Sequence, residues 1–179
     1  MATYEQELSS SFASAHRYAR AVAGDRDAGD WYLRIALETL VEEPSRVRAE
    51  GDVRMQVFKL VNEVFEACAP PSVRKGLCDE DVATGMPPKH GVEFLPLPAR
   101  QMLLLVTEMR FSVRRAAELF GMSEREAEIH LAWALAQLRS NDPAEVSDLE
   151  LSLELAAPER VARRGRAASR PIAEVSAAR

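Results

Sequence analysis

The sequence has few of the residues that build reactive or metal-binding sites. Its 179 residues include only two cysteines, Cys68 and Cys78, and three histidines, His16, His90 and His130. The cysteines form no C-x-x-C pair, and no second pair is present to complete a tetrahedral metal site, so we expect two reduced thiols. The histidines lie far apart in sequence, and each is expected to be an ordinary solvated or packed side chain.

Motifs for catalysis, secretion and membrane insertion are also missing. The sequence contains no phosphate-binding glycine loop, no H-E-x-x-H and no G-x-S-x-G, so we expect no enzymatic activity, no metal, no cofactor and no small-molecule substrate. No apolar run is long enough to span a bilayer, and the N-terminus lacks the basic-then-apolar pattern of a signal peptide. The sequence predicts a cytoplasmic protein that does not bind a membrane.

Positive charge is scarce except near the end of the chain. The net charge is −5, from 23 Lys and Arg against 28 Asp and Glu. Six arginines and two glutamates follow residue 157, a net charge of +4, which leaves −9 for everything before them. Because counterion release favours clustered Lys and Arg, an acidic body is poorly suited to non-specific phosphate binding. A nucleic-acid contact would therefore require a local basic face.

Apolar residues make up 47% of the chain and recur at helical spacing in two separate parts of it. In residues 1–68 this spacing predicts three amphipathic helices, at about 8–22, 28–42 and 52–67, and therefore a small helical bundle. Residues 69–95 are rich in proline and glycine and lose the apolar period, which is typical of a linker.

Helical spacing resumes in residues 96–140. It predicts helices at about 99–109 and 113–120, a turn at Gly121, and a last helix that begins at the S-x-x-E capping box of Ser123 and Glu126. This order is that of a helix-turn-helix. Residues 141–179 are predicted to be a largely disordered tail with one short element at most, at 146–155. The predicted fold is thus all-α, with two small helical domains joined by a linker.

Both helical parts resemble extracytoplasmic-function sigma factors of bacteria. The segment HRYARAVAGDRDAGDWYL is similar to sigma region 2, and LPLPARQMLLLVTEMRFSVRRAAELFGMSEREAEIHLAWALAQL is similar to region 4. The last helix departs from that family at one customary lysine and four customary arginines, where this chain has Glu128, His130, Trp133, Leu135 and Gln137. An apolar stripe at i, i+4, i+7 and i+11 is kept, by Ala127, Leu131, Ala134 and Leu138.

A chain that keeps the fold-forming residues and loses the basic ones resembles the sigma-like domain of PhyR-type response regulators. The sequence RYARAVAGD followed by GDWYLRIALETL is very similar to the corresponding sequence of this family. Its members mimic a sigma factor in the general stress response and bind a small NepR-type anti-sigma factor. The resemblance therefore implies an anti-anti-sigma protein. We expect no receiver domain and no phosphoacceptor here, because no acidic cluster behind a hydrophobic strand follows residue 140.

Six apolar residues are the candidate contacts for a NepR-like partner. They are Trp31, Tyr32 and Leu33 in the first helical part, and Ile129, Trp133 and Leu135 in the second. A tryptophan on the face where a sigma factor would meet DNA suits a protein anchor better than a phosphate contact. Two alternatives remain for the Ile129 and Trp133 face: it packs against the other helical part or the C-terminal segment, or it closes a homodimer.

The competing interpretation is a sigma factor that binds core RNA polymerase and promoter DNA. It depends on a group of arginines near the first half of the helix-turn-helix, Arg100, Arg110, Arg114 and Arg115. Such a group contacts DNA in one interpretation and forms an ordinary solvated helix face in the other.

Overall fold

The regular structure is helical throughout the part of the chain that the computed structural model describes, which is residues 3–70, 74 and 92–141. The α-helices are α1 (Tyr4–Ala23), α2 (Arg26–Glu42), α3 (Val53–Cys68), α4 (Leu97–Thr107), α5 (Val113–Leu119) and α6 (Glu124–Asn141). Short 3-10 turns cover Pro44–Arg46 and Val92–Phe94. We call α1–α3 the first lobe and α4–α6 the second lobe. The prediction of an all-α fold is confirmed.

Local signals in the sequence explain where the helices begin and end. Gly24 ends α1 in the left-handed conformation, with φ of 70°, and its N–H donates to the carbonyl of Arg20. This conformation is easily reached only by glycine. Before α6, the Glu126 carboxylate accepts hydrogen bonds from the backbone N–H and the hydroxyl of Ser123, both at 2.7 Å. The capping box that the sequence indicates is therefore formed.

A close crossing of α1 and α2 explains some of the residues that carry the family resemblance. A Cβ added to Gly29 would lie 2.5 Å from the Cα of Arg20, so only glycine allows the two helices to approach this far. Beside it, Arg20 Nε donates to Asp30 Oδ1 at 2.5 Å, and Nη2 donates to Oδ2 at 2.7 Å. His16 Nε2 lies 2.6 Å from Asp30 Oδ1. These four residues hold the helix pair together.

The second lobe keeps the inward stripe that the sequence predicts for its last helix. The four residues of the stripe are at most 6% exposed: Ala127, Leu131, Ala134 and Leu138. Helix α4 is buried on almost every side, because α5 and α6 cover part of its surface and α1 of the first lobe covers another part.

The two lobes share one core. Asn62 of α3 accepts hydrogen bonds from Tyr18 of α1, at 2.7 Å, and from Gln101 of α4, at 3.1 Å. All three side chains are almost completely buried, so this polar cluster lies inside the junction between the lobes. Burial raises the pKa of the Tyr18 hydroxyl well above its usual value, which keeps it a hydrogen-bond donor.

Two predicted segments lie largely outside the described residues. They are most of the linker at 69–95 and the tail after residue 141, including the possible element at 146–155. The domain boundaries therefore stay a prediction. None of the described helices is both long enough and apolar enough to cross a membrane.

Candidate partner-binding surface

Both tryptophans of the chain lie at the surface, one in each lobe. Trp31 of α2 is 49% exposed and Trp133 of α6 is 43% exposed. Tryptophan is highly buried on average, and exposed indole rings are common anchors of protein interfaces. The two lobes thus each offer one large apolar contact.

The face of α6 around Trp133 is apolar and open. Ile129, one helical turn earlier, is 60% exposed, and Ala132 and Ala136 are exposed as well. This face lies beside the buried stripe of the same helix, and the described residues of the first lobe do not cover it. Cover by the C-terminal segment would involve residues outside the described part of the chain.

The exposed charges near this α6 face are mixed. Glu124, Glu126 and Glu128 are exposed along the first two turns of the helix, and so is Arg125, one turn before Ile129. A surface that reads DNA needs basic side chains close to the phosphates, and carboxylates there repel them. With one arginine among three carboxylates, the start of α6 lacks the clustered basic side chains of a DNA-binding surface.

The structure corrects the predicted role of Tyr32 on α2. Tyr32 is only 4% exposed, and its ring packs on Phe65 of α3 with centroids 4.2 Å apart. Trp31 stands edge-on to Tyr32, with centroids 5.0 Å apart and an interplanar angle of 73°. Tyr32 is therefore a core residue whose ring packs against Trp31, and it is not a surface contact. Burial also raises the pKa of its hydroxyl.

The two predicted leucines are only partly available. Leu33 and Leu135 are half-buried and pack against the hydrophobic core. Two other residues of α2 are more accessible: Leu37 is 41% exposed and Val41 is 80% exposed. The helical periodicity counts Leu37 among the apolar residues of α2 and gives no sign that it faces outward. The acidic neighbours Glu38 and Glu42 are a weak signal for this exposed edge.

A groove of about 330 Å³ lies where the two lobes meet. Its lining residues come from the end of α3, the segment after it, the start of α4 and the turn before α6: Glu66, Arg74, Leu97, Pro98, Gln101, Phe120 and Met122. Arg74 donates to the carbonyl oxygens of Glu66 and Ala69, at 2.5 and 2.8 Å, and so closes the end of α3 beside the groove. A concave site with apolar walls can take an apolar side chain.

The structure corrects the predicted role of Arg100. It is 2% exposed, and it donates from Nη1 to the carbonyl of Val22, at 2.7 Å, and from Nη2 to that of Leu95, at 3.0 Å. Arg100 therefore ties α4 to the end of α1 and lies too deep to contact DNA.

The other three arginines do not form an open basic face with it. Arg115 pairs with Asp52 of the first lobe, and Arg114 pairs with Glu118 at 3.2 Å. Arg110 is exposed, at the corner between α4 and α5. The ion pairs of Arg114 and Arg115 place a carboxylate beside each guanidinium, which weakens the case for DNA binding.

Part of this chain matches a known protein family. Residues 16–62, which include the α1–α2 crossing and Trp31, match the family model of the Sigma2 domain of PhyR. Over this segment the chain resembles PhyR. A curated relative, the phyllosphere-induced regulator PhyR of Methylorubrum extorquens, is 28% identical over 141 residues. That match covers 78% of this chain and 46% of the relative, so the chain spans about half the length of that protein.

Solved structures of PhyR and of a sigma factor share the fold of this chain. The complex of anti-anti-sigma factor PhyR with anti-sigma factor NepR from Bartonella quintana has a TM-score of 0.61 at 21% identity, covering 87% of this chain and 62% of that one. The sigma factor RpoE in complex with NepR, from the same organism, has a TM-score of 0.57 at 15% identity, covering 76% and 94%. Fold likeness alone therefore does not separate a mimic from a sigma factor.

Proposed function

We propose that this chain is a sigma-factor mimic that binds a NepR-like anti-sigma factor and thereby frees a sigma factor in the general stress response. It acts by binding and not by catalysis, in the cytoplasm, where RNA polymerase and its sigma factors are found. A region 2-like domain (1–68), a linker (69–95) and a region 4-like domain (96–140) make up the mimic.

The observation that carries this proposal is the open apolar face of α6. Ile129 and Trp133 are 60% and 43% exposed in the helix that a sigma factor would place on DNA, and Glu128 stands beside them. Trp31 gives the first lobe a second exposed aromatic anchor, supported by Tyr32. The related PhyR and RpoE are both known in complexes with NepR, which gives the class of partner.

Replacement of Trp133 tests the proposal directly. Trp133→Glu puts a charge where an apolar anchor is needed, and we expect affinity for a purified NepR-type anti-sigma factor to fall at least about 30-fold. Trp133→Phe keeps an aromatic ring and is the matched control, with much of the affinity retained. Calorimetric titration measures both, and circular dichroism checks that helicity is unchanged. Equal affinity of the Glu variant and the parent chain would overturn the proposal.

A second candidate function is that of a transcription-initiating sigma factor. The likeness to RpoE and the exposed Arg110 and Arg114 favour it. It requires co-purification with core RNA polymerase and promoter-dependent transcripts in a reconstituted assay. The absence of both removes this candidate.

A further inference from the structure

An arginine of the first lobe reaches into a corner of the second lobe. Arg54, in the first turn of α3, donates from Nη2 to the carbonyl oxygen of Met109, between α4 and α5. Its guanidinium carbon lies 4.5 Å from the ring centroid of Phe111 and 5.6 Å from that of Phe58. These distances are those of cation–π contacts, so the group is held by two rings and one carbonyl.

The corner that Arg54 contacts is sharply bent. Arg110, between Met109 and Phe111, has φ of +58°, in the left-handed region that residues with a side chain adopt uncommonly. The N–H of Met109 donates to the carbonyl of Leu104, and the N–H of Phe111 donates to that of Leu105. A strained backbone persists when its surroundings fix it, and here part of those surroundings belongs to the other lobe.

Two further contacts join the same parts of the lobes. The ring of Phe111 packs edge-on to that of Phe58, with centroids 5.0 Å apart and an angle of 66°. Asp52, two residues before Arg54, accepts a hydrogen bond from Arg115 of α5. Asp52 also caps α3 through the N–H of Met55, at 2.8 Å. The first turns of α3 therefore contact the corner itself, through Phe58 and Phe111, and the start of α5, through Asp52 and Arg115.

Placing the Arg54 guanidinium in this space is energetically unfavourable. Desolvation lowers the pKa of Arg54, and its buried Nε has no hydrogen-bond partner within the described part of the chain. A well-packed apolar side chain of similar volume often stabilises a junction as well as a buried charge does. An apolar side chain has no hydrogen-bond donor for the Met109 carbonyl. The arginine therefore fixes the position of that carbonyl relative to α3.

We propose that Arg54 is a positioning residue that fixes the α4–α5 corner against α3 and so sets the spacing of Trp31 and Trp133 for a partner that contacts both lobes. This inference rests on the proposed function. A partner that spans two lobes binds more tightly when their spacing is fixed in advance, because less freedom is lost on binding.

The test compares Arg54→Met with Arg54→Lys in the full chain. Methionine keeps an apolar stem and removes the donor and the charge, whereas lysine keeps a charged donor. Spin labels at Val41→Cys and Arg125→Cys, two exposed positions on different lobes, are placed in a Cys68→Ser, Cys78→Ser background. Double electron–electron resonance then gives the distribution of distances between the lobes, and titration of the unlabelled Arg54 variants with a purified NepR-type anti-sigma factor gives the affinity.

We expect a narrow distribution in the parent chain, a broadened one in the methionine variant, and partial recovery in the lysine variant. The loss of one charge-assisted hydrogen bond should weaken partner affinity about tenfold in the methionine variant. If that variant does not fold, Phe111→Leu removes the ring beneath the guanidinium and should broaden the distribution in the same way.

An unchanged distance distribution in a folded Arg54→Met or Phe111→Leu variant overturns the positioning role. A broadened distribution with unchanged affinity also overturns it, while loss of binding in Trp133→Glu leaves the proposed function intact. If Trp133→Glu binds as the parent chain does, the proposed function fails and the link between Arg54 and the partner fails with it. The distance measurement still decides separately whether Arg54 holds the corner.

Discussion

Arg20 and Asp30 join α1 to α2 through two parallel hydrogen bonds, at 2.5 and 2.7 Å, directly beside the point where Gly29 lets the helices approach most closely. A paired guanidinium and carboxylate in this forked geometry is strong and directional. The residues that carry the family resemblance in the first lobe are therefore largely structural. They orient α2, and with it Trp31, toward solvent.

Gly29→Ala should destabilise the protein although alanine favours helices. Propensity alone predicts a gain of about 0.5–1 kcal/mol, but the added Cβ would lie 2.5 Å from the Cα of Arg20, in the backbone of α1. Overpacking of this kind costs about 1–3 kcal/mol, so a net loss is expected. Urea denaturation measures it. Ser9→Ala, at an exposed position of α1, is the control and should change stability little, and a more stable Gly29→Ala variant would contradict the close crossing.

Stability should depend on the charge of Asp30 at acid pH. The hydrogen bonds from Arg20, and secondly from His16, hold the pKa of Asp30 well below its usual value. A carboxyl with a lowered pKa in the folded state stabilises the protein above the pKa of the unfolded chain, about 4, and this stabilisation is lost as the pH falls further. Thermal denaturation of the parent chain and Asp30→Asn across pH 2–7 measures the effect.

The two melting temperatures should differ near neutral pH and converge in acid. Glu42→Gln, at an exposed carboxylate near the end of the same helix, should follow the parent chain over the whole range. A constant difference between the parent chain and Asp30→Asn at all pH values would show that the carboxylate charge is unimportant.

Substitution of Arg100 should destabilise the protein more than substitution of Arg114. Arg100→Met leaves the carbonyls of Val22 and Leu95 without their donors in a buried place, so a loss of about 1–3 kcal/mol is expected. Arg114 makes only an exposed pair with Glu118, and Arg114→Ala should cost less than about 1 kcal/mol. Guanidinium denaturation compares them.

If the chain were a sigma factor, the two substitutions should differ in their effect on DNA affinity. Weak affinity for a promoter duplex should then depend on Arg114 and not on the fold-stabilising Arg100.

Equal stability of the Arg100→Met and Arg114→Ala variants would mean that Arg100 does not hold α1 and α4 together.

Much of the fold follows from the sequence because helices obey local rules. The spacing of apolar residues, the cap at Ser123 and the stops at Gly24 and Pro44 predict each helix to within a few residues. The inward stripe of α6 is readable for the same reason, since residues three or four positions apart share one side of a helix. The stripe does not show that the neighbouring face of Ile129 and Trp133 is open, because packing against the other lobe was equally compatible with the sequence.

The sequence by itself thus determined the helices, their order and the loss of basic charge from α6. The tertiary structure decided which residues face outward, because that depends on contacts between residues far apart in the chain. Trp31 and Tyr32 are adjacent aromatics, and only the position of Phe65 selects which one is buried. Arg100 reads as a surface cation until α1 covers α4, and Arg54 gains its role only when Phe111 meets it from the other lobe.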